Sequence, residues 1–161
     1  MLEEQPLDPK RHHRDEFTCG VPALDDYLRR FATQHRRKGF STVHVLVNRD
    51  EPSRILGYYS LSAAQLDGAA LAPADRAGLP RYPVPCFRMG RLACRADRRG
   101  EGLGKLLVGL AVRRCLDARE LVAAYALIVD AKDEAAKRFY EHHGFAACVD
   151  APLTLYFPFG R

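Results

Sequence analysis

The stretch Arg98-Arg99-Gly100-Glu101-Gly102-Leu103-Gly104-Lys105 stands between a strand-like apolar segment and a strongly periodic apolar run. Its three glycines allow the backbone to approach a ligand closely and to adopt positive φ without steric cost. The helix expected to begin here would add free N–H groups and a partial positive charge at its N-terminus. Strand, turn and helix in this order predict a backbone cradle for a polyphosphate ligand.

Two familiar nucleotide-binding patterns do not fit this turn. A Walker loop needs Gly-Lys-Ser/Thr after its first glycine, and no such run is present. The dinucleotide fingerprint G-x-G-x-x-G fails because Gly100, Gly102 and Gly104 alternate. Glycine-rich turns between strands and helices are also common without a ligand, so the turn alone leaves the ligand open.

Patterns on both sides of the turn alternate between strand and helix. Apolar residues at helical spacing predict helices, and alternating or continuous short apolar runs predict strands. Their order predicts an α/β (α+β) fold with a mixed sheet and helices on both faces. The expected elements are a loosely held segment 1–15, a helix opened by Val21-Pro22 and stopped at Gly39, strands 41–48 and 55–63, a helical turn near 73–77 within the long connection 66–85, a strand 87–95, a helix 103–118, a strand 122–129, a helix 133–143 stopped at Gly144, and a strand 154–159.

The first predicted helix ends in a cluster of cations. His35-Arg36-Arg37-Lys38 lies where a helix C-terminus favours positive charge, and Gly39 is a typical stop. This structural explanation and a nucleic-acid contact both account for the cluster, and the sequence leaves the two open. Five apolar residues at helical spacing are expected to form the buried face of this helix: Leu24, Tyr27, Leu28, Phe31 and Ala32.

Composition places the chain among ordinary globular domains. Its 161 residues predict one domain over 1–161, and no apolar run approaches the length of a membrane helix. The acidic start, Met1–Pro6, differs from a signal peptide, so we expect a cytoplasmic protein without a membrane partner. A net charge of +5 permits an anionic partner but is also common for solubility. Reduced thiols and no metal site are expected because five cysteines lie scattered without C-x-x-C spacing: Cys19, Cys86, Cys94, Cys115 and Cys148.

A second motif follows downstream. Ala135-Ala136-Lys137-Arg138-Phe139-Tyr140-Glu141-His142-His143-Gly144-Phe145 is a predicted helix that ends in aromatic residues and glycine. Together with Arg99-Gly100-Glu101-Gly102-Leu103-Gly104, it resembles the GNAT acetyltransferase superfamily, whose members combine a Gln/Arg-x-x-Gly-x-Gly/Ala turn with an A-x-x-F/L-Y-x-x-x-G-F helix end. The resemblance implies that the turn binds the pyrophosphate of acetyl-CoA. It also implies the GNAT fold, with a mixed, mostly antiparallel sheet splayed at the acetyl-CoA site.

The likeness extends over nearly the whole chain to one branch of that superfamily, the GNAT toxins of bacterial toxin–antitoxin pairs. The resemblance implies acetylation of the α-amine of amino acids carried on tRNA, and hence inhibition of translation. It further implies neutralisation by a ribbon-helix-helix antitoxin, contact with operator DNA only through that antitoxin, and a homodimer. The segments that carry it are Phe17-x-Cys19-Gly20, Leu24-Asp25-x-Tyr27-Leu28, Gly57-Tyr58-Tyr59-Ser60-Leu61, Arg91-Leu92-Ala93 and Phe139-Tyr140-x-His142-His143-Gly144-Phe145.

Site residues follow from the motif positions. Tyr140 fills the position of the general acid for the coenzyme A thiolate, although helix periodicity alone would explain it as a core aromatic. The resemblance assigns backbone N–H groups of Arg91-Leu92-Ala93-Cys94 to the developing oxyanion, with ordinary sheet pairing as the alternative. Asp133 replaces the asparagine that many members carry near the pantetheine. The candidate acetyl-CoA contacts are Leu92, Ala93, Cys94, Arg99, Gly100, Glu101, Gly102, Leu103, Gly104, Lys105, Asp133 and Phe139.

The sequence assigns no general base. An α-amine titrates at about 7.7–8.0, and esterification of its carboxyl lowers that value, so a neutral fraction exists without a dedicated base. Glu141, His142 and His143 are close in sequence to Tyr140, but a histidine at a helix end is more often a capping or packing residue. Direct transfer is favoured over an acyl intermediate on Cys94.

A tRNA substrate would require cations that neutralise its phosphates. Lys105, Lys137 and Arg138 serve either the coenzyme or the solvation of helices. Two alternatives stay open: an acetyltransferase acting on a small-molecule or protein amine, and a non-catalytic coenzyme-binding module. The candidate tRNA contacts are Arg36, Arg37, Lys38, Arg88, Arg91 and Arg95, with Arg81 as a further one.

Overall fold

Seven strands within residues 1–160, the part of the chain that the computed structural model describes, form one sheet in the order β1-β2-β3-β4-β5-β7-β6. Short 3₁₀ turns lie at 14–16, 68–70 and 96–98. The helices and strands are β1 Leu2–Pro6, α1 Pro22–Asp26, a π-helical turn Tyr27–Phe31, α2 Ala32–Arg37, β2 Thr42–Asn48, β3 Gly57–Leu66, α3 Pro73–Arg76, β4 Val84–Cys94, α4 Leu103–Ala118, β5 Ala126–Asp130, α5 Glu134–His142, β6 Ala146–Ala147 and β7 Thr154–Pro158.

Strand pairing confirms the predicted mixed, mostly antiparallel sheet. The pairs β1–β2, β2–β3, β5–β7 and β6–β7 are antiparallel, whereas β4 and β5 are parallel. The parallel ladder ends at the Met89–Val129 pair, although β4 continues to Cys94. Within the described residues, positions 90–94 therefore have no registered partner in β5.

The chain divides into two compact units, each built from two segments. The first contains Met1–Ser62 and Gly90–Ala111; the second contains Ala63–Met89 and the described residues from Val112 onward. The chain passes between them within β3, β4 and α4. The single domain over residues 1–161 stays a prediction.

Helices pack on both faces of β3 in the first unit, as predicted. The Tyr58 hydroxyl donates to the Leu24 carbonyl of α1 at 2.6 Å, and its ring meets Phe17 edge-on with centroids 5.8 Å apart. Gly57 points to the opposite face because successive strand residues alternate. A Cβ there would lie 2.7 Å from Cδ1 of Leu107 in α4. The absence of a side chain at Gly57 therefore lets α4 lie close against the strand.

The first helix departs from its prediction at the π turn Tyr27–Phe31. An i→i+5 turn holds more residues than the 3.6 of an α-helical turn, so it shifts the residues that follow around the helix axis. Tyr27, Leu28 and Ala32 are buried as expected, but Phe31 is 39% exposed. The predicted burial of Phe31 is therefore wrong, because uniform helical spacing does not hold through this turn.

The prediction of a loosely held N-terminal segment is also wrong for its first residues. Leu2–Pro6 pairs with His44–Asn48 of β2 along its whole length. The Tyr59 hydroxyl of β3 donates to the Glu4 carboxylate. The sequence Leu-Glu-Glu-Gln-Pro shows no apolar alternation, so only the backbone pairing, which the side-chain pattern does not reveal, identifies β1 as a strand.

In the second unit the long connection 66–85 is attached to β7. The Tyr156 hydroxyl donates to the Asp75 carboxylate at 2.5 Å and accepts from the Ala72 N–H at 2.9 Å. The helical turn predicted near 73–77 is confirmed as α3. β5 begins at Ala126, later than predicted, and Val122 is 63% exposed. The short strand β6 was not predicted; the other predicted helices and strands agree to within a few residues.

Candidate active site

The Gly-rich turn exposes its backbone. Gly100 and Gly102 have φ values of 83° and 77°, a region that side chains rarely occupy. A Cβ built on either glycine meets no atom within 4 Å, so conformation rather than packing requires glycine here. α4 begins directly after the turn at Leu103, and the first N–H groups of a helix have no partner inside it. The turn and the helix N-terminus thus have the open backbone that a phosphate cradle would need, and ligand binding at the turn stays a prediction.

The charged side chains of the turn have defined partners. Nε of Arg98 donates to both carboxylate oxygens of Glu101, at 2.8 and 2.9 Å. Nη2 of Arg99 donates to the Cys19 carbonyl at 3.0 Å. Lys105 is exposed on the first turn of α4. Arg99 therefore anchors the turn in addition to placing positive charge beside it.

Residues 16–19, which we call the brace, are hydrogen-bonded at three points to residues 95–99, the segment that leads into the Gly-rich turn. Nη1 of Arg95 donates to the Glu16 carbonyl at 3.0 Å, and the Ala96 N–H donates to the Thr18 carbonyl at 2.8 Å. The third bond is the one from Nη2 of Arg99 to the Cys19 carbonyl. The position of the Gly-rich turn therefore depends on the path of the brace.

Asp25 of α1 fixes that path. The residue is 6% exposed, and its carboxylate accepts from the Thr18 hydroxyl at 2.8 Å and from the Cys19 N–H at 2.9 Å. Burial by itself raises the pKa of Asp25, but these two hydrogen bonds outweigh it and hold the pKa below its ordinary value. Our sequence reasoning missed Asp25 as a site residue, because an acid in a first helical turn is an ordinary feature.

Gly20 leaves the space that the Arg99 guanidinium occupies when it donates to the brace. Its φ is 88°, and a Cβ at this position would lie 2.6 Å from Nη2 of Arg99. The backbone conformation therefore favours glycine, and a side chain here would also displace the end of Arg99. The sequence offered one signal for this role, the Cys19-Gly20 pair in the resemblance, without indicating what it contacts.

The structure corrects the prediction that Arg95 binds tRNA. Arg95 is 4% exposed, and its Nε donates to the Ile55 carbonyl at 2.7 Å. Its guanidinium carbon lies 5.6 Å from the centroid of the Phe17 ring. Burial lowers the pKa of Arg95, with a further contribution from nearby Arg54. Arg95 is thus a buried hydrogen-bond donor for main-chain carbonyls and does not reach a phosphate.

The other predicted tRNA contacts fall into three environments. Arg36, Arg37 and Lys38 are exposed at the end of α2. Arg88 is paired with the carboxylate of Asp130, which satisfies its charge inside the second unit. The guanidinium carbon of Arg91 lies 3.5 Å from the centroid of the Tyr27 ring, so the cation stacks on an aromatic face. The α2 cluster is open to solvent without a carboxylate partner among the described residues, and so is Arg81 in the connection 66–85.

Tyr140 lies near the end of α5 and is 8% exposed. Its ring meets Phe139 and Phe145 edge-on, with centroids 5.3 Å away in both cases. Gly144, with φ of 94°, ends the helix, and a Cβ there would lie 3.2 Å from the Phe157 ring. Aromatic packing therefore fixes the orientation of Tyr140, and the catalytic role stays a prediction.

The other predicted site residues of α5 have structural partners. Oδ1 of Asp133 accepts from the Ala136 N–H at 2.8 Å, so this side chain caps the helix. Nδ1 of His143 lies 2.7 Å from the Phe139 carbonyl, and the two rings are 4.5 Å apart. This packing role agrees with leaving His143 unassigned as a base.

Cys94 ends the part of β4 that has no β5 partner. Burial, with a smaller contribution from Cys19, raises the pKa of the Cys94 thiol, so it stays protonated near neutral pH. All five cysteines are unpaired. Among residues 1–160 there is no group of three or more His, Cys, Asp or Glu side chains placed to hold a metal ion, and no helix long and apolar enough to cross a membrane.

Comparison with known proteins agrees with this arrangement. The sequence model described as the acetyltransferase (GNAT) family matches residues 8–145. The chain is 34% identical over 139 residues to the tRNA-acetylating toxin of Mycobacterium tuberculosis (strain ATCC 25618 / H37Rv), covering 86% of this chain and 81% of that protein. AtaT complexed with acetyl-methionyl-tRNAfMet aligns with a TM-score of 0.91 at 27% identity, covering 98% and 95% of the two chains. A point mutant of the AtaT toxin, bound to the C-terminus of the antitoxin AtaR and to acetyl-CoA, aligns with a TM-score of 0.82 at 26% identity, covering 98% and 93%.

Proposed function

Because the chain belongs to the acetyltransferase (GNAT) family, we propose that it transfers the acetyl group of acetyl-CoA to the α-amine of an amino acid carried on tRNA. The product can no longer serve as an amine nucleophile in peptide-bond formation, so the reaction blocks translation. The observation that carries the proposal is 34% identity to a tRNA-acetylating toxin over 86% of the chain, together with the uncovered Gly-rich cradle.

The cradle fits the diphosphate of coenzyme A. Gly100 and Gly102 leave the space over the turn open, and the N-terminus of α4 favours a negatively charged group. Arg99 holds the turn through the brace and keeps a cation beside it. Leu103 is buried, so it would contribute only its backbone N–H. When bound, acetyl-CoA supplies an activated acetyl thioester.

The chain's own residues would act on that thioester in two ways. N–H groups of Leu92, Ala93 and Cys94 would donate to the oxygen that gains charge during transfer. Tyr140 would return a proton to the departing sulfur. No residue is assigned as a base, and the raised pKa of Cys94 supports direct transfer without an acyl-cysteine.

The acceptor assignment rests on two supports besides the identity. A structural neighbour at 27% identity is AtaT complexed with acetyl-methionyl-tRNAfMet. In this chain Arg36, Arg37 and Lys38 are exposed, as a phosphate-binding surface requires. We assign this reaction to the cytoplasm, where charged tRNA is found.

Labelled acetyl-CoA incubated with charged and with chemically deacylated tRNA tests the proposal. We expect label on charged tRNA only, released together with the amino acid when the ester is hydrolysed. Label transferred instead to free amines or to protein would favour the small-molecule or protein alternative. No transfer with intact acetyl-CoA binding would favour the non-catalytic module.

The role of Tyr140 is tested with Tyr140→Phe, which removes only the hydroxyl. We expect at least about a hundredfold loss of kcat, within the range for a general acid, with acetyl-CoA affinity retained. Tyr82→Phe is the control, because Tyr82 is 75% exposed and has no proposed role. Full activity of Tyr140→Phe would remove this residue from the mechanism.

We further propose a homodimer, a ribbon-helix-helix antitoxin as partner, and contact with operator DNA only through that antitoxin. Support for an antitoxin partner comes from the AtaT neighbour that is bound to the C-terminus of the antitoxin AtaR. Light scattering on the purified chain measures the oligomeric state. Co-expression with a small ribbon-helix-helix protein should suppress the acetylation of charged tRNA.

A further inference from the structure

A row of aromatic rings in edge-on and tilted contact runs from β4 to the surface in the first unit. It begins at Arg91, in the β4 segment whose amides are proposed to hold the acetyl oxygen. The Arg91 guanidinium covers the Tyr27 ring. The Tyr27 and His35 ring centroids are 5.2 Å apart, and the two side chains are joined by a hydrogen bond of 3.1 Å. His35 in turn lies 6.2 Å from Phe31 and 5.7 Å from Phe40. The row therefore connects the proposed acetyl-binding strand to two outer rings.

The two outer rings are exposed although phenylalanine is normally buried. Phe31 is 39% exposed and Phe40 is 66% exposed. The π turn places Phe31 outward, and such turns are frequent at functional sites. Phe40 follows Gly39, whose positive φ of 78° ends the helix. Two separate backbone features thus turn apolar rings toward solvent at one place.

One cation contacts Phe31, and three more lie close to Phe40 in the chain. The guanidinium carbon of Arg30 lies 5.4 Å from the centroid of Phe31, and Arg36, Arg37 and Lys38 are exposed on α2. Arg30 makes only a 4.0 Å contact with a carboxylate of Asp26, and the α2 cluster makes none among the described residues. An isologous contact with a second copy would bring two such clusters together, and it would repel. The surface instead suits an anion that also offers flat rings.

We propose that Phe31 and Phe40 form a stacking platform for the unpaired nucleotides at the 3′ end of the tRNA, while the cations around them bind its phosphates. Aromatic side chains with a basic groove are the usual device for binding single strands. The amino acid is esterified to the last nucleotide, so the nucleotides before it must extend away from the acetyl group. The inference rests on the proposed function and identifies which surface of this chain those nucleotides follow.

Binding of two forms of one deacylated tRNA tests the platform: the intact molecule, and one whose unpaired 3′ nucleotides are removed. We expect Phe31→Ala and Phe40→Ala each to weaken binding of the intact tRNA about tenfold without changing binding of the shortened one. Phe40→Trp keeps a stacking ring and should bind like the wild type, while Phe40→Leu should bind like Phe40→Ala. Leu121→Ala, at a residue that is 92% exposed, is the matched control and should change neither.

The outcomes separate the platform from the reaction. If the wild type acetylates charged tRNA while both alanine variants bind the intact tRNA normally, the platform is wrong and the proposed function stands. Equal weakening toward both tRNA forms would also overturn the platform. If Phe31→Ala or Phe40→Ala changes only the oligomeric state measured by light scattering, the surface is a contact between copies. A wild type that acetylates no tRNA contradicts the proposed function itself.

Discussion

At the scale of single residues, the structure gives Arg99 two functions that the motif does not distinguish. Its charge lies beside the open turn, and its Nη2 ties that turn to the Cys19 carbonyl. Gly20 leaves room for this bond, and Asp25 accepts from the N–H of the same residue, Cys19. The coenzyme cradle therefore depends on residues far away in sequence that touch no ligand.

Gly20→Ala should combine backbone strain with displacement of the Arg99 side chain. An alanine at φ of 88° is strained by about 1–2 kcal/mol, and its Cβ would also displace Arg99. We expect loss of unfolding free energy in that range and at least about fivefold weaker acetyl-CoA binding, equivalent to about 1 kcal/mol. Chemical denaturation measures the unfolding free energy, and calorimetry measures the affinity for acetyl-CoA.

Gly39→Ala is the control for that experiment. Gly39 has φ of 78° with no atom within 4 Å of its would-be Cβ, so it shares the strain without the contact. It should lose similar stability and keep wild-type acetyl-CoA affinity. Equal loss of affinity in both variants would show that the Arg99 anchor does not matter for binding.

At the scale of elements, the ends and irregular turns of the helices decide which residues are capped or buried more than helix propensity does. α5 is short and begins with a capping carboxylate from Asp133. The π turn changes which residues the first helix buries, and no apolar periodicity could indicate it. Asp133 caps the helix and also stands where the resemblance implies a pantetheine contact. Substitutions that keep or remove the capping oxygen can separate these two roles.

Asp133→Ala should lower the unfolding free energy by about 1 kcal/mol, because the cap of the Ala136 N–H is lost. Asp133→Ser keeps a capping oxygen and should retain nearly full stability. If the side chain serves the helix alone, both variants bind acetyl-CoA like the wild type in calorimetry. Weaker acetyl-CoA binding by both variants would instead establish the contact that the resemblance implies.

At the scale of the whole molecule, the net charge of +5 is less informative than its distribution. Arg95 is buried, Arg88 is paired with Asp130, and Arg91 stacks on Tyr27. Among the described residues, the exposed cations of the predicted set without a carboxylate partner are therefore the α2 cluster and Arg81. Removing the α2 cluster should change the salt dependence of tRNA binding more than removing the same number of charges elsewhere on the surface.

Replacing Arg36, Arg37 and Lys38 by alanine should flatten the plot of log K against log salt concentration by about 2–3 units, because each phosphate contact contributes about 0.7–0.9. Filter binding over a range of salt concentrations measures the slope. A second triple variant at the exposed residues Lys10, Arg113 and Lys132 removes the same charge. An equal change in both variants would show that net charge, not the α2 cluster, binds tRNA.

Most regular elements were predictable because their apolar periodicity is strong, as in the helix 103–118, whose predicted limits are those of α4. Others were not. β1 is polar and owes its strand conformation to backbone pairing with β2. The predicted burial of Phe31 failed at the π turn, and the predicted start of β5 at Val122 included exposed residues.

The sequence by itself determined the glycine turn, the helix that follows it and the aromatic end of α5, since these depend on local conformational preference. These motifs identified the family and acetyl-CoA as the expected acetyl donor. Tertiary structure alone decided what each cation does: whether Arg95 is buried, Arg88 paired, Arg91 stacked or Arg36 free to meet a phosphate. The physical reason is that charge is local to a residue, whereas burial and pairing depend on contacts between segments distant in the chain.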